Sequence, residues 1–310
     1  MKKQLLLNGQ KGRPAKDVLL KTLWSLFRFV LIFGLCFIIL RPLIIKLLHT
    51  LMSPEDLLDS TIKYAPKHWS TYYWRVALEN MDLVRSGGLT LFLSLGSAVL
   101  QMLTSAMVGY GLARFRFKGS RLAFAAVIII LLVPSQVYSI PQYLGFRYFG
   151  VGQWTVNLLN SVVPVFLLSL GCLSVKQCLY VYLMREAFRD LPKDMENAAY
   201  IDGASIPRTF VSVVLPNVRN MLITVFLFAF CWQWTDTEFV SLYFTGKTTL
   251  AMRLVEGAYV TVTGSGGEDP LGTAIARTAG AIAIVIPVII LAVVCQRFLV
   301  KSISRTGIAN

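Results

Sequence analysis

Charge is what this chain has least of. Only 15 % of its 310 residues are Asp, Glu, Lys or Arg, against about 25 % in an ordinary soluble domain. Hydrophobic residues make up 55 %, above the roughly 45–50 % of soluble chains, and the mean hydropathy is +0.63. The excess falls in long blocks, so the chain reads as an integral membrane protein. Histidine is nearly absent: His49 and His68 are the two, and both fall in one polar stretch. No HExxH, GxSxG or histidine cluster exists, which leaves no catalytic constellation and no metal centre. The five cysteines, Cys36, Cys172, Cys178, Cys231 and Cys295, all lie inside apolar blocks. An odd number so placed argues against a disulfide framework, and they read as small apolar packing residues. Acids are outnumbered by bases, 16 to 30, for a net charge of +14. A basic surplus can mark a nucleic-acid binder, but in a membrane protein Lys and Arg serve as topology signals.

Taken in order, residues 1–28 form a basic N-terminal segment with Lys2, Lys3, Lys11, Arg13, Lys16, Lys21 and Arg28 against Asp17. An apolar run over 29–48 follows. It is long enough to span and no A-x-A cleavage site follows it, so an uncleaved span with a cytoplasmic N-terminus is expected rather than a signal peptide. Arg41 and Lys46 near its outer end are expected to snorkel. Residues 49–87 are too polar to span and are expected outside the membrane as short helices. Further spans are predicted over 89–113, 122–144 (with Pro134 inside), 161–183, 221–240 and 278–300. Arg114, Arg116, Lys118 and Arg121 have no acid beside them, which marks a cytoplasmic loop, and Lys301 and Arg305 place the C-terminus on the same side. The expected fold class is therefore an all-α membrane protein with six transmembrane helices and cytoplasmic termini, residues 29–310 forming one spanning domain.

Between the fourth and fifth blocks lies a polar island. It runs LPKDMENAAYIDGASIPRTFVSVVLP from Leu191 to Pro216, with Asp190, Asp194, Glu196 and Asp202 as its acids. Local signals divide it into two short helices. Pro192 suits a first turn, and Leu191, Met195, Ala198 and Ala199 recur at helical spacing. Gly203 is a helix stop that tolerates positive φ. Ser205 can cap a second helix, with Pro207 in its first turn and Ile206, Phe210, Val213 and Val214 on one face. A helix–Gly–helix knob results, set on the cytoplasmic side.

The run Glu196-x-Ala198-Ala199, Asp202-Gly203-Ala204 and Pro216 resembles the E-A-A-x-x-x-D-G-A loop of ABC importer permeases. The stretches REAFRDLPKDM, VVLP and QRFLVKSI extend the likeness over nearly the whole chain. Asn197 stands where the family has alanine, and Asn217 and Asn220 where it often has leucine and proline. The layout is similar to the six-span maltose-type subunit of the carbohydrate branch, with type I importer architecture. The resemblance implies a multi-pass subunit of the plasma (inner) membrane, contacting lipid and not nucleic acid. It implies a homologous second permease, two ATPase subunits and an external solute-binding protein as partners. It implies that ATP and Mg are used by those ATPases, with no cofactor or metal bound here and no enzyme activity of the chain itself. Glu196, Ala198, Ala199, Asp202, Gly203, Ala204 and Pro216, within a coupling loop of 185–219, are then the ATPase-coupling residues. Glu196 and Asp202 would cap backbone N–H groups or pair with partner bases, and the three alanines would allow close approach.

A substrate path is expected around Trp232, Gln233, Trp234, Asp236 and Glu238, because aromatic faces beside hydrogen-bonding groups suit a sugar. An interfacial aromatic belt is the competing reading. Lys176, midway along the fourth predicted span, is expected to face a cavity or partner. Gly246-Lys247-Thr248 resembles the end of a P-loop, but Ser241 stands where the first glycine is required. Three other readings compete. A permease for a peptide, amino acid or phosphate ester would look alike at this level. A secondary transporter would show inverted repeats with matched broken helices. A membrane-anchored binding or signalling protein would need a sizeable soluble domain.

Overall fold

The computed structural model describes residues 15–152, 154–174, 176–246, 248–257 and 269–306. Residues 1–14 of the basic N-terminus, Lys247 of the P-loop-like tripeptide and the glycines of 264–268 lie outside these. The elements in chain order are helices α1 (Ala15–His49), α2 (Pro54–Leu58), α3 (Tyr72–Met81), α4 (Arg85–Arg114), α5 (Ser120–Leu132) and α6 (Ser135–Arg147). Strands β1 (Phe149–Val151) and β2 (Trp154–Val156) follow, then α7 (Val163–Leu170) and α8 (Gln177–Arg189). The island supplies α9 (Asp194–Ile201), α10 (Ile206–Thr209), a π-helical turn (Phe210–Val214) and α11 (Leu215–Asn217). Helices α12 (Arg219–Trp234), α13 (Glu238–Tyr243), α14 (Leu250–Gly257) and α15 (Pro270–Thr306) complete the chain.

Two compact units divide the chain, residues 1–73 and 74–310. The first is built on α1, whose apolar side chains are mostly exposed from Leu19 to Leu47, as a lipid-facing helix requires. The segment after it is ordered by Asp56. This carboxylate is buried and accepts the N–H groups of Lys67 (2.8 Å) and His68 (2.7 Å), while His68 Nδ1 lies 2.9 Å from its other oxygen. The His68 backbone N–H foremost, with the His68 ring and the Lys67 N–H, holds Asp56 below the ordinary carboxylate value.

The second unit is organised on α4. One face of α4 carries Ser86, Thr90, Ser94, Ser97, Gln101, Ser105 and Gly109, all buried, and such small residues let neighbouring helices approach closely. A methyl group at Gly109 would sit 2.8 Å from Met184 Cβ and 3.0 Å from the Arg185 backbone nitrogen. Gln101 donates to the hydroxyls of Ser169 and Ser174, and Gln177 donates to Thr104 Oγ1 and the Ser169 carbonyl. The hydroxyls of Ser94, Ser97 and Ser105 are buried without a hydrogen-bond partner among the described residues. Helices α8, α12 and α7 pack on α4, and α15 packs on α12. Trp234 joins the last pair through Nε1–H donated to the Ile284 carbonyl at 3.0 Å.

Helices α1, α4 and α15 are long and apolar enough to cross a membrane. Among the described residues, two bent pairs raise the number to five if each is one span: α5 with α6 at 103°, and the segment Ile206–Asn217 with α12 at 80°. Two of the predicted spans are interrupted, and the expected all-α fold gains a short hairpin. The span predicted over 122–144 breaks at Val133–Pro134, because Pro134 lacks the N–H that would continue the helix. The span predicted over 161–183 is two short helices, α7 and α8, separated by residues 171–176, where Cys172 and Lys176 hold φ of 57° and 63°. The polar loop after Arg147 contains a small antiparallel hairpin, β1–β2, with Gly150 and Gly152 at positive φ.

Candidate functional site

Three breaks in otherwise helical chain meet around one cavity. The first is Val133–Pro134 between α5 and α6, the second residues 171–176 between α7 and α8, and the third residues 235–237 between α12 and α13. A cavity of about 660 Å³ is lined from all three, by Pro134, Ser135, Tyr138 and Gln142, by Leu173, Ser174 and Lys176, and by Trp232, Asp236 and Glu238 among others. Interrupted helices are tolerated within apolar surroundings only where the freed backbone groups meet protein or water in a cavity. A non-glycine residue at positive φ, such as Lys176, is held there by its surroundings at a cost of about 1–3 kcal/mol.

Most of the expected path residues converge here. The Lys176 ammonium lies 5.1 Å from the Trp232 ring centroid, a cation–π arrangement. Glu238 accepts from Ser135 Oγ at 3.2 and 3.3 Å. Asp236 accepts the Phe239 N–H at 3.2 Å. Gln233 lines a smaller adjoining space with Gln101 and Ser174. Trp234 is corrected: it is 5 % exposed, stacks on Phe230 and donates to Ile284, so it belongs to the core. Two residues apart on a helix, Trp232 and Trp234 point in nearly opposite directions. Ser135, Tyr138, Gln142, Leu173 and Ser174 were not anticipated. The proline before Ser135 and the glycine before Cys172 were the available signals of breaks at those places.

The island forms the second candidate site. Helix α9 starts at Asp194 rather than at Pro192, which precedes it. Its end is a Schellman arrangement: the Ala204 N–H donates to the Ala199 carbonyl (2.9 Å) and the Gly203 N–H to the Tyr200 carbonyl (3.0 Å), with Gly203 at φ +79°. Ser205 stands at the N-cap of α10 with extended backbone, but its side chain makes no capping bond. Ile201 is 87 % exposed, and Tyr200, Ala198, Asp202 and Ile206 are exposed with it, so the tip presents apolar surface. Ala199 is buried and Ala204 half-buried, which leaves Ala198 as the outward-facing alanine. Pro216 is exposed in the short helix α11.

Glu196 departs from expectation. It neither caps a helix nor faces outward; it is buried, with its Oε1 2.6 Å from Arg114 Nε and its Oε2 accepting from Tyr110 Oη at 3.0 Å. Arg114 Nη2 also donates to the Leu191 carbonyl at 2.9 Å. Both oxygens of Glu196 are thus engaged within the chain, by the last turns of α4. Phe188 and Phe210 pack on Tyr110 and complete the joint.

Residues 102–305 match the family described as binding-protein-dependent transport system inner membrane component. The chain is similar to the trehalose transport system permease protein SugB of Mycobacterium tuberculosis (strain CDC 1551 / Oshkosh), 30 % identical over 76 % of this chain and 79 % of the relative. It is similar also to the alpha-glucoside transport system permease protein AglG of Rhizobium meliloti (strain 1021), 32 % identical over 69 % of this chain and 53 % of the relative. Among solved structures, a chain of a bacterial ABC transporter involved in the import of the acidic polysaccharide alginate superposes with a TM-score of 0.69. It covers 93 % of this chain and 99 % of its own at 18 % identity, a likeness of fold.

Proposed function

Since the chain belongs to the family of binding-protein-dependent transport system inner membrane components, and is thus a membrane permease, we propose that it forms half of an oligosaccharide import path and is driven through the 191–216 loop. In this reading six spans, the broken α7–α8 pair among them, place both termini and the loop in the cytoplasm. A homologous permease completes the path, an external binding protein delivers the solute, and two ATPase subunits consume ATP and Mg. The chain itself hydrolyses nothing.

The observation that carries the reading is the exposed tip of the island and its buried attachment. Ile201, Ile206 and Tyr200 expose apolar surface that a partner's groove would cover. Glu196, at the base of the same short helix, is locked to the end of α4. A rigid-body push on the tip is therefore delivered to the helix on which the unit is built. The 660 Å³ cavity, with Trp232 for a sugar's ring face and carboxylates for its hydroxyls, supplies the path. The saccharides in the names of relatives, trehalose and alpha-glucoside, support a saccharide as the solute.

Gly203→Pro tests the coupling. Proline cannot adopt φ +79° and removes the N–H donated to Tyr200. Membrane insertion and pairing with the second permease should persist while solute uptake is lost and the ATPase no longer responds to it. Uptake that survives with normal ATPase coupling would refute the docking role.

A further inference from the structure

The charged side chains lining the cavity are Lys176, Asp236 and Glu238, one base against two acids. Their placement decides how those charges act. Lys176 extends over the Trp232 ring, and among the described residues no carboxylate lies within the 4.0 Å of an ion pair with it. Its charge is directed into an aromatic face. Among the described residues neither Asp236 nor Glu238 forms an ion pair with a base. Their recorded partners are neutral donors, the Phe239 N–H and the Ser135 hydroxyl, which leaves acceptor capacity turned to the cavity. Pro134, Tyr138, Gln142, Leu173 and Ser174 are uncharged.

We infer that this cavity selects its solute by charge, taking uncharged polyhydroxy compounds and rejecting those bearing carboxylate or sulfate, with Asp236 and Glu238 as the rejecting groups. This rests on the cavity being part of the solute path. A hydroxyl-rich neutral solute donates to the two carboxylates and displaces their water. An anion at the same place meets a net negative charge, two acids against Lys176, in surroundings of lowered dielectric constant, where like charges repel more than in water. The discrimination is thus built into the membrane subunit and acts after any choice made by a delivery protein.

The local potential can be read without knowing the solute. Leu173 is 56 % exposed and lines the cavity at the second break. Leu173→Cys is made in the assembled transporter with Cys36, Cys172, Cys178, Cys231 and Cys295 replaced by alanine. It is treated with a cationic (trimethylammonium-ethyl) or an anionic (sulfonatoethyl) methanethiosulfonate, each rate divided by that reagent's rate with a small thiol in solution. The cationic reagent should be favoured by about tenfold, the ratio that a potential of only about 1 kT gives when it speeds the cation and slows the anion alike. Added Asp236→Asn and Glu238→Gln should bring the ratio to one or below, because Lys176 then remains. Equal rates, or faster anionic labelling, would overturn the charge selection while leaving the path reading in place. No labelling by either reagent would show a cavity closed to water, and both readings would fall together.

Discussion

The joint between Glu196 and Arg114 should be the costliest polar contact in the chain to break. The two side chains are 9 % and 7 % exposed, so solvent screens them little. Arg114→Met leaves the Glu196 carboxylate buried with Tyr110 alone, and removing one partner of a buried pair costs about 3–5 kcal/mol. Glu196→Met strands the guanidinium, with only the Leu191 carbonyl left to it. The double change leaves neither charge unpaired. Its cost should fall short of the sum of the singles by about 2–3 kcal/mol, the upper part of the range of about 0.5–3 kcal/mol for groups in direct contact. Amide hydrogen exchange over 194–201 in the purified transporter reads this directly. Each single change should accelerate exchange there by about two powers of ten or more, at 1.4 kcal/mol per tenfold, and the double change should recover much of the protection. Additive single effects, with coupling below about 0.5 kcal/mol, would refute the claim that this pair anchors the loop.

Other consequences are simpler to read. Gly109→Ala should destabilise by about 1–3 kcal/mol, since its methyl meets Met184 and the α8 backbone rather than a yielding side-chain tip; a lowered thermal midpoint measures it. Trp234→Phe should cost about 1 kcal/mol through the lost bond to Ile284 while sparing uptake, whereas Trp232→Ala should impair uptake and leave the thermal midpoint nearly unchanged. Asp56 ties residues 56–68 together through donors that lower its pKa from 3.8. Its stabilising contribution is therefore complete above about pH 5 and is lost as pH falls through the lower folded value. Protease nicking within 56–68 should rise below that pH, and Asp56→Asn should show raised nicking already at neutral pH.

Sequence reading reached the island and the charged and tryptophan lining of the cavity for different reasons. Gly203, between two runs of helical spacing, announces a turn locally, and the Schellman geometry is what such a residue permits. Lys176 in an apolar block is conspicuous because it has no inexpensive place there, and it lines the cavity. The breaks were hidden for a physical reason. Hydropathy averages over a window, and the apolar residues on both sides of the break in 161–183 carry the average past Ser174 and Lys176, so that count does not reveal that the backbone turns there. The fate of Glu196 was equally out of reach, because its partner Arg114 lies 82 positions away and no local pattern links them. Trp234 was separable from Trp232 by helical phase alone.

The small residues along α4 have a consequence for turnover. Ser94, Ser97, Ser105 and Gly109 keep its buried face thin, so neighbouring helices lie close to it without interlocking large side chains. Packed helices meeting on such a face can slide past one another by small amounts, the shear by which one part of a molecule moves as a body against another.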